Sequence, residues 1–555
     1  MGSRLFFFTL LPVLLAFATP GPADLTPSQI DHYFEGVWQA EGLTPAERSS
    51  DDEFLRRLSL DVRGVVPSAE ETIAFLTDSS PMKRVEVIED FLASPERSEA
   101  WAAYWSKVLV GTPPQIQNPL AQQKALEPFT EWVSIQFQRG AGFDDFMTAI
   151  LTAEGDLAEN PAVLPTLRWR NAPESLAGTM SRAFLGQQIQ CAQCHDSKEN
   201  STLTQKKFWE LTAFFGGTRT RRNLSQDEVK EAIEAGSGMG VMARMDARVE
   251  ARQREFKVVE VGGRWQTKVP DSELRVEPRY LDGTPAVKSS DKSRRAQLAD
   301  FIERRDREQF AKNFVNRLWA RYFGRGLMDP VDEWAMGREP DHPALLNNLA
   351  WEFAQSGYDV KHIERLILNS RVYQLSATAS EETAGRPDLF ACAPVRPLNA
   401  EQIVASLTRA TGADGIADAM AQGRLGRFGE SAPDLLMQRF HAEFVHTFDN
   451  DEMEWSNAFE SSIPQALFLM NDETMARTVS FAKGSMLSRI GSTTTDPGEV
   501  TQYLYLSALS RQPSAEELER VSAALAASKS KVEQKALAED VLWALVASTE
   551  FLTNH

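Results

Sequence analysis

The signal that most restricts the fold is a helix start that recurs along the chain and is followed by apolar residues at helical spacing. Thr26-Pro27-Ser28-Gln29 has the form of a capping box with proline at the first helical position, and Ile30, Tyr33, Phe34, Val37 and Trp38 then fall at i, i+3, i+4, i+7 and i+8. Thr44-x-x-Glu47 and Ser68-x-x-Glu71 repeat the start signal, with Gly64, Pro67 and Pro81 punctuating the helices between. Trp101, Tyr104, Trp105 and Val108 form a further stripe of the kind that lines a core. From Ser293 the period is again helical. Phe310, Phe314, Leu318 and Tyr322 share one stripe, ended by Gly324 and Gly326, and Leu345, Leu349 and Phe353 share another. A last helical block runs from about Pro464 to His555. Two helix ends read alike, Ile367-x-x-Ser370-x-x-Tyr373 and Leu545-x-x-Ser548-x-x-Phe551, but three matching positions do not make a repeat.

Between these blocks the pattern changes. From about Gly216 to Lys292 come Arg219, Arg221 and Arg222, a helical stretch from Gln226 to Arg254, and then alternating FKVVEV, Gly262-Gly263 and RWQTKV, which is a hairpin signal. The arginines read as a solvated surface. At 555 residues the chain exceeds the roughly 250 to 300 that one core can serve. The reading is therefore a mainly α, multi-helical protein of two main domains with a small β-hairpin insert between them: residues 26–225, a connecting region 226–292, and 293–555.

Residues 1–18 read as a signal peptide. Arg4 precedes an apolar run from Leu5 to Phe17, and Ala16-Phe17-Ala18 supplies the small-x-small cleavage pattern. The run contains Pro12 and is shorter than the roughly 18 residues a membrane span requires. This predicts a periplasmic, secreted or cell-envelope protein with no membrane span after cleavage. Hydrophobic residues at 42% and charged residues at 25% exclude a mostly disordered or multi-span chain. The net charge of -19 argues against nucleic acid as a partner and leaves other exported redox or envelope proteins.

One motif carries sharp chemistry: Cys191-Ala192-Gln193-Cys194-His195 matches the c-type haem attachment pattern. Two thiols three apart on a helical turn can reach the two vinyl groups of one porphyrin as thioethers, and the next residue then offers an imidazole to the iron. Cys191, Cys194 and His195 are thus the expected cofactor-binding residues, with His195 on the haem iron. The sixth position is open or filled by methionine or histidine; Met180, Met239, Met242 and Met245 are within sequence reach but read better as packing residues. Export favours this reading and also admits a Cys191 to Cys194 disulfide in an interaction or scaffold protein. A zinc site lacks paired ligand spacing, since Cys392, read as a buried small apolar residue, and the other histidines stand apart. Reduced thiols without a cofactor complete the alternatives.

Other constellations are weaker. His441 and His446 are five apart, which puts them on different helix faces, and Asp449 to Glu452 lacks the spacing of a calcium loop. No GxSxG, HExxH or Gly-rich phosphate loop occurs. A third hypothesis is an enzyme with a site between the two domains, drawing on the Asn313, Asn316 and Arg317 row or on Asp341 and His342; hydrogen bonding within or between domains is the plainer role for those groups.

The run Phe54 to Gly64 (FLRRLSLDVRG), Phe91-Leu92-Ala93-Ser94-Pro95-Glu96, and Ile189 through Asp196 resemble the planctomycete cytochrome-like domain of unknown function. Phe310 to Trp319, Tyr322 to Leu327, His342-Pro343, Leu368 to Tyr373 and the ending Leu545 to Phe551 resemble the partner domain that usually follows it. The resemblance covers nearly the whole chain after residue 26. It implies exported, helical, two-domain proteins, called cytochrome-like for the CxxCH motif, with no established activity. The resembled pattern commonly continues CHDHPFDKW; here Cys194-His195-Asp196 runs into Ser197, so the second histidine is absent.

Overall fold

The computed structural model describes residues 25–111, 119–198, 200–235, 241–262, 265–288, 291–334, 338–413, 442, 444 and 478–555. The chain is mainly helical with only small sheets. The first helix, Pro27–Glu41, opens on the expected capping box of Thr26 and Gln29 and buries Ile30, Phe34 and Trp38. Helix Asp51–Val62 is buried almost all round, Arg56 and Arg57 included. A helix with no solvent face lies between two packed bodies, and this one does.

The larger core runs from Ile30 to Ala391 and joins helices from both ends of that span. Trp105 packs on Phe143 with ring centroids 5.1 Å apart, Phe143 on Phe314 at 4.3 Å, and Phe314 on Phe353 at 4.6 Å. Helices Arg307–Phe323, Pro343–Gln355 and Val360–Leu368 therefore share apolar packing with the N-terminal helices. Glu364 ties them further, accepting from Arg97 Nε at 2.7 Å, Trp101 Nε1 at 3.0 Å and the Tyr322 hydroxyl at 2.8 Å. A second core gathers Leu398, Ile403, Leu407, Leu504, Leu542 and Phe551, and takes Leu60 and Val66 from the N-terminal segment.

One local unit recurs. Helix Asp51–Val62 is followed by Gly64 at φ 71°, then by the capping box of Ser68 and Glu71 opening helix Ala69–Thr77, with Arg63 bound two-handed to Glu71. Helix Pro497–Leu509 is followed by Ser510 at φ 59°, then by the capping box of Ser514 and Glu517 opening helix Ala515–Ala526, with Arg511 bound two-handed to Glu517. The two helix ends that read alike also fold alike. Ser370 Oγ donates to Ile367 O and Ser548 Oγ to Leu545 O, each at 2.6 Å. The neighbouring arginines of helix Asp51–Val62 then bind the two turns in parallel: Arg57 reaches Tyr373 O and Leu375 O at 3.0 and 2.7 Å, and Arg56 reaches Phe551 O at 2.9 Å. Each guanidinium leaves water only because fixed carbonyls replace it.

The β insert is present, with pairings other than those the sequence suggests. Phe256–Glu260 does not pair across Gly262; it is the middle strand of a three-stranded antiparallel sheet between Gly155–Asp156 and Thr218–Arg222. Val258, fully buried against Ala153, Leu157 and Val163, draws the strand inward, and Arg170 and Arg222 both lie over the Phe256 ring. The second half of the expected hairpin instead pairs onward, Thr267–Lys268 with Arg275–Val276. Helices Gln226–Ala235 and Val241–Arg254 occupy the stretch read as one helix. Among the described residues no helix is long and apolar enough to cross a membrane.

Candidate functional site

The CxxCH motif follows helix Pro173–Leu185, which stops at Gly186 in the left-handed conformation, φ 66°. A Cβ at Gly186 would come within 2.5 Å of Asn313 Oδ1, so glycine is required by space as well as by φ. The last carbonyls of this helix are satisfied by one row on helix Arg307–Phe323: Gln309 Nε2 donates to Leu185 O at 2.9 Å, Asn313 Nδ2 to Ala183 O at 2.9 Å, and Arg317 to Arg182 O at 2.7 Å. Such a cap in trans fills acceptors that a helix end leaves open, and the Arg317 charge suits the negative end of the helix. Asn313 and Arg317 are thus core ties. Asn316 likewise holds Met328 through both its amide atoms, at 2.8 and 2.9 Å. Buried His342 lies between the Tyr33 hydroxyl at 3.1 Å and Asp388 O at 2.7 Å, and burial lowers its pKa. Asp341 pairs with Arg325 at 2.6 Å on the surface.

Beyond Gly186 the chain is pinned by Gln188 N to Asp332 O at 3.2 Å and enters a 3-10 turn, Gln190–Gln193. Ile189 and Ala192 are fully buried, whereas Cys191, Cys194 and His195 are exposed. The buried residues root the turn and leave the three reactive side chains outside. Gly178 admits this packing, because a Cβ there would stand 2.8 Å from Gln190 Nε2. From the other side, helix Gln205–Thr212 holds the motif: Gln205 Nε2 donates to Gln193 O and Cys194 O at 3.2 and 3.1 Å, and Trp209 Nε1 to Gln193 O at 3.1 Å. Asp196 accepts from Gln205 N at 2.7 Å at the positive end of that helix. Gly178, Gln205 and Trp209 carry no motif of their own, and the sequence reading passed over them.

His195 Nδ1 lies 2.7 Å from Asp196 O. A carbonyl only accepts, so Nδ1 bears a proton, and in the neutral ring the lone pair is then on Nε2. That is the tautomer a metal-bound imidazole needs, and a hydrogen bond to a backbone carbonyl is a usual way of fixing it. Nε2 is thus the ring nitrogen left available to an iron. Ser197, where the resembled pattern has its second histidine, is buried and accepts from Asn200 N at 3.1 Å, so a side chain at 197 points away from the exposed face.

The remaining candidates separate. Met180 is buried in the larger core. Met239, His441, His446 and Asp449 to Glu452, like residues 1–18, lie outside the described residues, as do the side chains of Met242 and Met245. Cys392 is half-buried, not buried, and the three cysteines are unpaired. Among the described residues no group of three or more His, Cys, Asp or Glu side chains could hold a metal ion.

Two family models match the chain. Residues 29–220 match PSCyt2, a protein of unknown function (DUF1549), and residues 294–525 match PSD1, a protein of unknown function (DUF1553). The chain thus carries these two domains in tandem, the two-domain architecture of planctomycete type. No curated protein and no solved structure matches it.

Proposed function

We propose that the chain is an exported redox protein with one c-type haem, held by thioethers from Cys191 and Cys194 and by His195 on the iron, and used for electron transfer in a larger exported system. The observation that carries this reading is that Cys191, Cys194 and His195 are all exposed on one short turn and that the His195 Nδ1–H is fixed on Asp196 O. Bound haem supplies a one-electron couple. The protein's own residues do the positioning, with Gln205 and Trp209 holding the turn and Ala192 rooting it. Solvent exposure is among the factors that set the potential of such a centre. The test is a visible spectrum of protein exported in a host with haem-attachment machinery. A Soret band that is lost in Cys191→Ala, Cys194→Ala protein and altered in His195→Ala protein supports the assignment.

A second reading has its own support, because both thiols are exposed on one short turn. Cys191 and Cys194 would then form a disulfide in an envelope interaction protein, by loss of two hydrogens to an external oxidant. No Soret band and a mass two hydrogens below the reduced chain would select it.

A further inference from the structure

A cavity of about 360 Å³ lies far along the chain from the CxxCH turn, in the seam between the two matched segments. Ser68, Ala69 and Glu70 line it from the first segment; Thr408, Arg409, Arg489, Tyr503 and Ser507 are among those that line it from the second. The volume is in the range of small-ligand pockets. Gly412, at φ 68°, lets the end of helix Ala400–Thr411 meet the start of helix Met486–Thr493, since a Cβ there would stand 2.8 Å from Met486 N and 2.9 Å from an Arg489 guanidinium nitrogen.

Several polar groups of this cavity are unspent. Arg409 is bound to Glu96 at 3.1 Å, but Arg489 has no carboxylate partner among the described residues. The hydroxyls of Thr408, Tyr503 and Ser507 have no hydrogen-bond partner among the described residues either, although Ser507 is only 5% exposed. The Ser507 hydroxyl lies at the cavity surface on an otherwise buried side chain, where a ligand can bond it. The amides of Ala69 and Glu70 precede the first bonds of helix Ala69–Thr77, where Ser68 takes Glu71 N and Thr72 N, and so add donors and a positive helix end. In a chain of net charge -19 general attraction does not favour anions, so the selectivity is local.

We propose that this cavity binds a small polar molecule bearing one oxyanionic group, carboxylate or phosphate ester, with the anion on Arg489 and its polar groups on Tyr503, Ser507 and Thr408. Titration calorimetry of the full chain with glucuronate, glucose 6-phosphate and neutral glucose tests it. Binding of one or both anions but not of glucose is expected, and which anion binds identifies the group. Arg489→Gln should weaken binding at least tenfold, as loss of a charge-assisted bond does. Lys531→Gln, the same charge loss on an exposed residue outside the cavity lining, should leave it unchanged. Arg489 is exposed, so its variant should keep the parent melting temperature. No binding by either anion, equal binding of glucose, or binding indifferent to Arg489→Gln overturns the proposal.

Discussion

Burial of charge is the residue-scale theme of this molecule. Arg56 is fully enclosed, and burial lowers its pKa to about 10, yet its guanidinium meets the backbone carbonyls of Ala508 and Phe551. Asp61 is buried with it, between the Tyr373 hydroxyl at 2.9 Å, Arg396 at 2.6 Å and Asn554 Nδ2 at 2.8 Å. Asp306 is less well provided for. Desolvation, with Asp282 nearby as a second cause, pushes its pKa up to about 6. Its folded value lies above the unfolded value near 3.9, so the folded state holds the extra proton between roughly pH 4 and 6. Stability through this group therefore falls as pH rises across that window. Asp306→Asn should melt higher than the parent at pH 7 and show a smaller difference at pH 4; thermal unfolding at the two pH values checks it.

At the scale of elements, helix ends do much of the organising. Asn399 caps helix Ala400–Thr411, accepting from Gln402 N at 2.8 Å while Gln402 returns a bond to Asn399 N, and Gln402 Nε2 also reaches Leu60 O. Asn399→Ala should cost about 1 kcal/mol in chemical denaturation. Two caps of this kind were legible, Thr26 with Gln29 and Ser68 with Glu71, whereas Thr44 to Glu47 opens no helix and the next one starts after Ser50. So were the stripes, because a period of 3.6 is a local property. The strand Phe256–Glu260 was legible as a strand, but its partner Thr218–Arg222 comes earlier in the chain, across two helices, and alternation says nothing about partners. The candidate site divides likewise. Spacing alone marks Cys191, Cys194 and His195, whereas Gly178, Gln205 and Trp209 become supports only through contacts made by folding. Asn313 and Arg317, for which hydrogen bonding is the plainer reading in sequence, prove to be a helix cap, though the helix they cap is not written in residue type.

At the scale of the whole molecule, apolar packing cuts across chain order. Residues 294–391 contribute to the core of the N-terminal helices, and Leu60 and Val66 contribute to the core of the C-terminal ones. A fragment of residues 293–555 would expose the faces of Phe310, Phe314 and Leu349 that these contacts cover. It should therefore lack a cooperative urea transition by circular dichroism, and a sharp transition would show that this shared core is dispensable. The same assembly anchors the segment that leads into the CxxCH turn, since Gln309, Asn313 and Arg317 hold the end of helix Pro173–Leu185 and Asp332 O holds Gln188 N from the second matched segment. Haem on the exposed CxxCH turn, as proposed above, has a direct test. Intact mass of the denatured chain, exported in a host with haem-attachment machinery, tests it most directly. A covalent gain of one haem that disappears in Cys191→Ala, Cys194→Ala protein is expected; a chain mass with no such gain rules out covalent haem on this turn.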